Sequence, residues 1–420
     1  MELLDRRSAI YSDRPTMVTS FIRPYPDSDG SISSGYGQPF VLQPYGDNWR
    51  QQRKIVAQDF SQIGIARYNS FVYGVMKDPA TLALIQQAYG TIIIQCTYGH
   101  YLKDENDPFL TSPLTAMENF SKSTAPGAWL VDFLPLLQYM PKWMPGASFR
   151  STAAKWRQIV WDTTWEPYLW LKENLVGSAT RAYCISDNVF GPGLGNKPDQ
   201  RARGPIGLAA STVMGAGMDT NNSTVLIFFL AMMLNPSVQA KARRELDDVI
   251  GPDRLPTLND KPSLPYIRSI MAEVMRWHPV MPLGIAHSLS KDDIYEGMLL
   301  LKGSLMIPNV WYMLHDPEFY PNPDTFDPDR YQNVDSEMEK IPELIFGFGR
   351  RVCTFFLIVA TILSTCEIVL PVDTKGNKVI PNITFSSGTI IFPSEFDVDI
   401  RCRSDKAREM LSSLVSDGAE

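Results

Sequence analysis

Residues 206–234 are predominantly apolar, and the run stops at Asn235-Pro236. This predicts one long helix, since proline removes an N–H and clashes with the preceding turn. The next stretch, SVQAKARRELDDVIG, sets apolar positions among charges at helical spacing and predicts an amphipathic helix closed by Gly251. LPYIRSIMAEVMRWHP predicts another helix, with Pro265 in its first turn and Pro279 ending it. NWRQQRKIVAQDF (48–60) reads as a helix with a basic face. Residues 66–186 are mostly helical in pattern, broken at 132–146 by three prolines. Short strands and turns are expected in 1–50 and 283–310, loops at 190–204 and 316–330, and strand-like alternation in 377–403. The run 352–372 approaches the length of a membrane span, but Glu367 and its serine and threonines favour a buried core helix. The sum is a mainly α chain with a small β part.

Composition narrows the class. The chain has 420 residues, 44% hydrophobic and 20% charged, as in a packed globular protein. A net charge of −7 argues against a nucleic-acid partner. The five cysteines (Cys96, Cys184, Cys353, Cys366, Cys402) are odd in number, with no C-x-x-C pair, which points to a reducing compartment. The four histidines (His100, His278, His287, His315) lack H-x-x-x-H spacing, so a histidine-built metal site is disfavoured. The N-terminus is charged from residue 2 and reads as neither a signal peptide nor an anchor.

Three clusters carry candidate chemistry. VMGAGMDTNNSTV (213–225) puts Gly215 and Gly217 inside the long helix, each costing about 1 kcal/mol relative to alanine. Either a neighbouring helix packs close there, or a ligand fills the gap beside Asp219 and Thr220. Glu273 and Arg276 share a helix face, and Arg330 from FDPDRY is a third member; the plain alternative is a solvated ion pair. In FGFGRRVC (346–353), Gly347 and Gly349 permit a tight turn, while Arg350 and Arg351 favour a thiolate at Cys353. A helix N-terminus following Cys353 would stabilise that anion further. Such a thiolate is a nucleophile or a metal ligand. Without a legible catalytic partner, ligation is the better reading, to a metal that brings its own equatorial ligands, as haem does. A buried structural cysteine is the alternative.

Together these motifs resemble those of the cytochrome P450 family, the haem-thiolate monooxygenases. The F-x-x-G-x-R-x-C loop is matched by Phe346, Gly349, Arg351 and Cys353. The A/G-G-x-D/E-T helix is matched by Ala216, Gly217, Asp219 and Thr220. E-x-x-R is matched by Glu273 and Arg276, a P-E-R-F-like segment by PDRY with Arg330, and W-x-x-x-R by Trp49 and Arg53. The resemblance spans Glu2 to about Arg408, and the texture is that of fungal members.

The resemblance implies one mainly α haem-thiolate monooxygenase domain over residues 1–420, with the P450 fold. It implies haem b with Cys353 as axial ligand. Trp49, Arg53, His287 and Arg351 would contact the propionates, with Ala216 and Gly217 over the haem and Phe346 beside the thiolate. Asp219 and Thr220 would deliver protons. Glu273, Arg276 and Arg330 would be structural. It further implies an NADPH-cytochrome P450 reductase as electron donor and an apolar small molecule as substrate. A terpenoid or polyketide scaffold of fungal secondary metabolism is expected, bound near Met214, Met218 and 280–285. Location at the endoplasmic reticulum membrane is implied, or the cytoplasm, since no anchor is legible.

Two departures stand out. Family members continue Cys-Pro-Gly, whereas Cys353 is followed by TFFLIVATIL, so a deletion or a misplaced splice junction is expected there. The chain also starts where relatives are already past their membrane helix, proline hinge and first strands, so a truncated N-terminus is expected, and the stretch after Phe60 reads as short. Asn221 stands at a tolerant position. The competing readings are a non-catalytic, haem-deficient relative and a haem-thiolate isomerase or dehydratase. The Asp219-Thr220 pair argues against the isomerase or dehydratase.

Overall fold

A computed structural model describes residues 2–11, 13–15, 41–59, 82–100, 102, 104, 106–124, 128–141, 143–174, 200–331, 335–346 and 355–413. The chain forms two compact units. The first comprises Met1–Ser61, Ile93–Asp219 and Ile285–Pro308; the second comprises Gln62–Ile92, Thr220–Gly284 and Asn309–Glu420.

The N-terminus is helical where strands were expected: Glu2–Arg6 forms a π-turn and α1 spans Ser8–Tyr11. Arg7 and Tyr11 are four apart, and helical spacing puts both on one carboxylate. The Arg7 guanidinium and the Tyr11 hydroxyl each donate to Asp293 Oδ2 at 2.7 Å. That shared acceptor outweighs the local Pro/Ser signal. In the same unit α2 is Asp47–Asp59, and α3 (Leu82–Tyr98) contributes its C-terminal end from Ile93. α4 (Pro108–Thr124) packs along α6 (Ser148–Asn174), with Phe120 and Val160 closing over Leu42. Between them lie α5 (Leu130–Phe133) and a 3₁₀ turn, Pro135–Tyr139. Prolines at 135, 141 and 145 keep this stretch from forming one helix. Two small ladders complete the unit: β1 (His287–Ser288) with β4 (Leu305–Met306), and β2 (Asp293–Tyr295) with β3 (Met298–Leu300).

α7 runs from Gln200 to Leu234, and the division between the units falls on it after Asp219. In the second unit α8 (Pro236–Val249) ends as expected: Gly251 takes φ +75° and its N–H returns to Leu246 O. α9 (Pro265–Trp277) has apolar residues on nearly every face. It packs with α10 (Val310–His315), α11 (Asp335–Ile345) and a 3₁₀ turn, Pro328–Tyr331, around Ala272, Leu314, Tyr331 and Ile341. α12 (Phe355–Thr365) is the apolar run, and all its residues but Ser364 are buried. It passes directly into β5 (Cys366–Val369), which pairs antiparallel with β6 (Asp399–Cys402); α13 (Asp405–Ser413) follows.

The tail takes its expected strand-like form only at its end, in β6. Between Val372 and Asp399 only isolated bridges occur, Val372↔Lys378 and Phe385↔Pro393. Prolines 381 and 393 cannot donate to a ladder, and Gly388 at φ 155° interrupts the alternation.

Candidate active site

α7 carries the first candidate cluster. Most of its residues from 206 onward are buried, but Val213, Ala216, Gly217, Thr220 and Thr224 are only half-buried. Their spacing of three and four puts them on one face. Met214 and Met218, expected to line a substrate space, lie off that stripe, at 0% and 2% exposure. The glycines answer to neighbours in the first unit. A Cβ on Gly217 would lie 2.9 Å from Ile93 Cδ1, and one on Gly215 would lie 2.9 Å from Met117 Sδ. Close approach of α3 and α4 is what these two positions accommodate. Gly207 does the same for the Trp165 indole, 2.8 Å from where its Cβ would be.

Asp219 is 5% exposed, and burial pushes its carboxyl up to about 7, with the like charge of Glu118 adding to the shift. A buried acid held near neutrality can take and give protons under working conditions. The Thr220 carbonyl accepts from the Thr224 hydroxyl at 2.7 Å.

Trp49 and Arg53 meet on α2: the guanidinium lies over the indole, 4.9 Å from its centroid. Arg53 is exposed and Trp49 half-buried. The row continues with Tyr45, its ring 5.1 Å from Trp49 and under Arg50. His287 lies on β1 opposite Met306. Arg14, which sequence reasoning missed, secures the approach to it: its guanidinium donates to the carbonyls of Ile285 (3.1 Å) and Ala286 (2.9 Å). A lone arginine in a proline-rich N-terminal stretch carries no motif.

In the second unit Glu273, Arg276 and Arg330 come together, the first two with fully buried side chains. Glu273 receives Arg276 Nε and Nη2, both at 2.8 Å, and Arg330 Nε at 3.1 Å. Tyr331 Oη (2.8 Å) and Asp327 N–H (2.9 Å) also donate to it. Arg276 caps the carbonyls of Leu314 (3.0 Å) and Pro323 (2.8 Å). Both carboxylate oxygens of Glu273 and all three nitrogens of Arg276 are hydrogen-bonded, the condition under which a buried ion pair is tolerated. Tyr331 was not foreseen; its residue type beside Arg330 was the available signal.

Phe346 is half-buried, and its N–H donates to Pro342 O at 2.9 Å. Gly349, Arg351 and Cys353 lie outside the described residues.

The profile of the family described as Cytochrome P450 matches residues 194–389. Cytochrome P450 monooxygenase 105 of Postia placenta is 45% identical over 98% of this chain and 80% of its own length. The chain belongs to the cytochrome P450 family. Cytochrome P450 monooxygenase claR of Ampulloclitocybe clavipes is 35% identical over 99% of this P450 and 79% of its own length. A zebra fish cytochrome P450 solved with abiraterone shares the fold, with a TM-score of 0.71 at 21% identity, covering 96% of this chain and 90% of that one.

This P450 is therefore of fungal type, a monooxygenase by class, with haem as its cofactor and the mainly α fold of its family. Family members generally work on small molecules with a reductase partner. The described residues of the P450 suit such a cofactor in their chemistry. Ala216 and Thr220 on the half-buried stripe of α7 are small side chains compatible with a flat apolar group, while the approach to Gly217 is taken by Ile93. Trp49, Arg53 and His287 supply N–H donors of the kind carboxylate groups require.

Proposed function

We propose that this P450 inserts one oxygen atom of dioxygen into a C–H bond of an apolar small molecule, a terpenoid or polyketide scaffold of fungal secondary metabolism. An NADPH-cytochrome P450 reductase supplies two electrons, and the second oxygen atom leaves as water. The observation that carries this reading is Asp219, a buried carboxyl poised at about 7 next to Thr220 and the half-buried stripe of α7.

Haem, when bound, supplies the reductive activation of dioxygen. Cys353 would hold its iron, in the motif that also carries Phe346 and Gly349. Trp49, Arg53, His287 and Arg351 are assigned to its carboxylates. Ala216 and Gly217 are the residues of α7 that would lie nearest it, Asp219 would hold a proton, and Thr220 would supply a hydroxyl. Glu273, Arg276 and Arg330 keep the second unit's helices in place and do no chemistry.

Association with a membrane surface belongs to the same reading. Leu130, Leu134, Leu136, Tyr139 and Trp143 are all more than half exposed within one short stretch of the first unit, and such apolar patches suit a lipid surface. No single described helix is long and apolar enough to cross a membrane.

The test is the absorption spectrum of the dithionite-reduced protein under carbon monoxide. A strongly red-shifted Soret band that disappears in Cys353→Ser supports the reading. A second reading, a haem-deficient relative, rests on the sequence after Cys353, where TFFLIVATIL replaces the Pro-Gly of the family motif. A Soret band at the free-haem position, or none, selects that second reading.

A further inference from the structure

Cys366 and Cys402 face each other across the β5–β6 ladder. The neighbouring pair sets their geometry. The Arg403 N–H donates to Thr365 O at 2.8 Å, so Thr365 and Arg403 form a hydrogen-bonded position. The next position, Cys366 opposite Cys402, is then a non-hydrogen-bonded one, where Cα atoms approach to about 4.5 Å and side chains come closest. That separation falls at the narrow end of the roughly 4.4–6.8 Å that disulfides span. Both cysteines are free, and burial, with the nearby Cys402 thiol adding to it, pushes the Cys366 thiol up to about 11.

We propose that Cys366 and Cys402 form a reversible cross-strand disulfide that fastens the two ends of segment 367–401. The oxidant is a low-molecular-weight disulfide such as oxidised glutathione. The half-buried Cys402 reacts first: its thiolate attacks one glutathione sulfur, the S–S bond breaks, and one glutathione leaves as thiolate. Cys366, 1% exposed and held as a thiol by burial, then gives up its proton and attacks the Cys402 sulfur. The second glutathione leaves. Two electrons pass to oxidised glutathione, and the two cysteine protons balance two glutathione thiols. Closing at the narrow end of the range makes the bond one that thiols reopen readily.

The fastened segment has a defined reach. Ile391 donates its N–H to Val280 O at 2.9 Å and accepts the Ser223 hydroxyl of α7 at 2.6 Å. Phe385 stacks on His278 with centroids 4.1 Å apart. Cross-linking ties down the backbone that meets α7 three residues beyond Thr220.

The holoenzyme, equilibrated in glutathione buffers of rising oxidised share, is quenched with iodoacetamide, digested without reductant and mapped by mass. The expected product joins the Cys366 and Cys402 peptides, lighter by two hydrogens, rises with the oxidised share and is lost with dithiothreitol. In Cys366→Ser, Cys402 remains as its glutathione adduct. Cys402→Ser changes a half-buried position, so it keeps the fold while removing the link. A wild type in which Cys402 accumulates the adduct, stays unreacted, or pairs with Cys96, Cys184 or Cys353 overturns the proposal. Oxidation should also raise Tm by a few degrees in wild type and not in Cys402→Ser; an unchanged wild-type Tm would overturn the fastening.

Discussion

Asp219 shows how much one side chain's surroundings add to its type. Sequence marks an aspartate before a threonine, whereas the fold buries it and sets Glu118 as its charged influence. Its pKa of about 7 lies above the unfolded value, so its contribution to stability is present at acid pH and lost as pH rises from about 4 through 7. Asp219→Asn removes a buried charge, and we expect it to raise Tm above wild type at pH 8 by a margin that vanishes near pH 4. Each unit of displacement is about 1.4 kcal/mol, so the gain at pH 8 is on the order of a few kcal/mol. The same variant should lower product formation by about 100-fold and abolish the inflection near neutrality in its pH profile. A variant that gains stability yet keeps the wild-type rate and profile removes Asp219 from proton delivery.

At the scale of elements, α9 and the Pro328–Tyr331 turn are joined through one carboxylate. Glu273 and Arg276 stand three apart, which any helix permits. What separates this pair from a surface one is enclosure by Leu314, Tyr331 and the backbone of 321–327. Arg276→Ala leaves Glu273 charged in a dry site, and we expect a loss of about 3–5 kcal/mol, read from the urea midpoint. Tyr331→Phe removes one of several donors and should cost about 1–3 kcal/mol. A loss below 1 kcal/mol for Arg276→Ala would place the pair among solvated ones. α12 illustrates the same dependence on enclosure: its apolar run passes for a membrane segment by composition, and becomes a core helix because α8 and α9 cover it.

Across the whole molecule, the half-buried His278 and the buried His315 oppose unfolding least at acid pH. His278 is pushed down to about 3, chiefly by burial and then by His315 and Arg276; burial lowers His315 as well. A folded pKa below the unfolded 6.5 means the unfolded chain binds protons first, so stability falls as pH drops from about 6.5 toward 3. Asp219 works in the opposite direction over part of that range, so the difference between wild type and variant is the informative quantity. His278→Phe keeps an aromatic ring against Phe385, Trp277 and Trp311. Its Tm should fall less than that of wild type between pH 6.5 and 4. Parallel curves would show that His278 does not contribute to the loss of stability at acid pH.

The mainly α class, the long helix ending at Leu234, the amphipathic α8 with its Gly251 cap and the family itself were legible without coordinates. They depend on local spacing: apolar periodicity, proline breaks, and short motifs whose residue types the chemistry dictates. The N-terminal helix, the near-absence of ladder pairing between Val372 and Asp399, the contacts of Gly215 and Gly217, the raised Asp219 and the opposition of Cys366 and Cys402 were not. Each depends on partners far along the chain, such as Asp293 for Arg7 and Tyr11, Ile93 for Gly217 and Arg403 for Thr365. Burial and strand register are properties of the folded arrangement, and only tertiary structure decides which distant groups share a dry space.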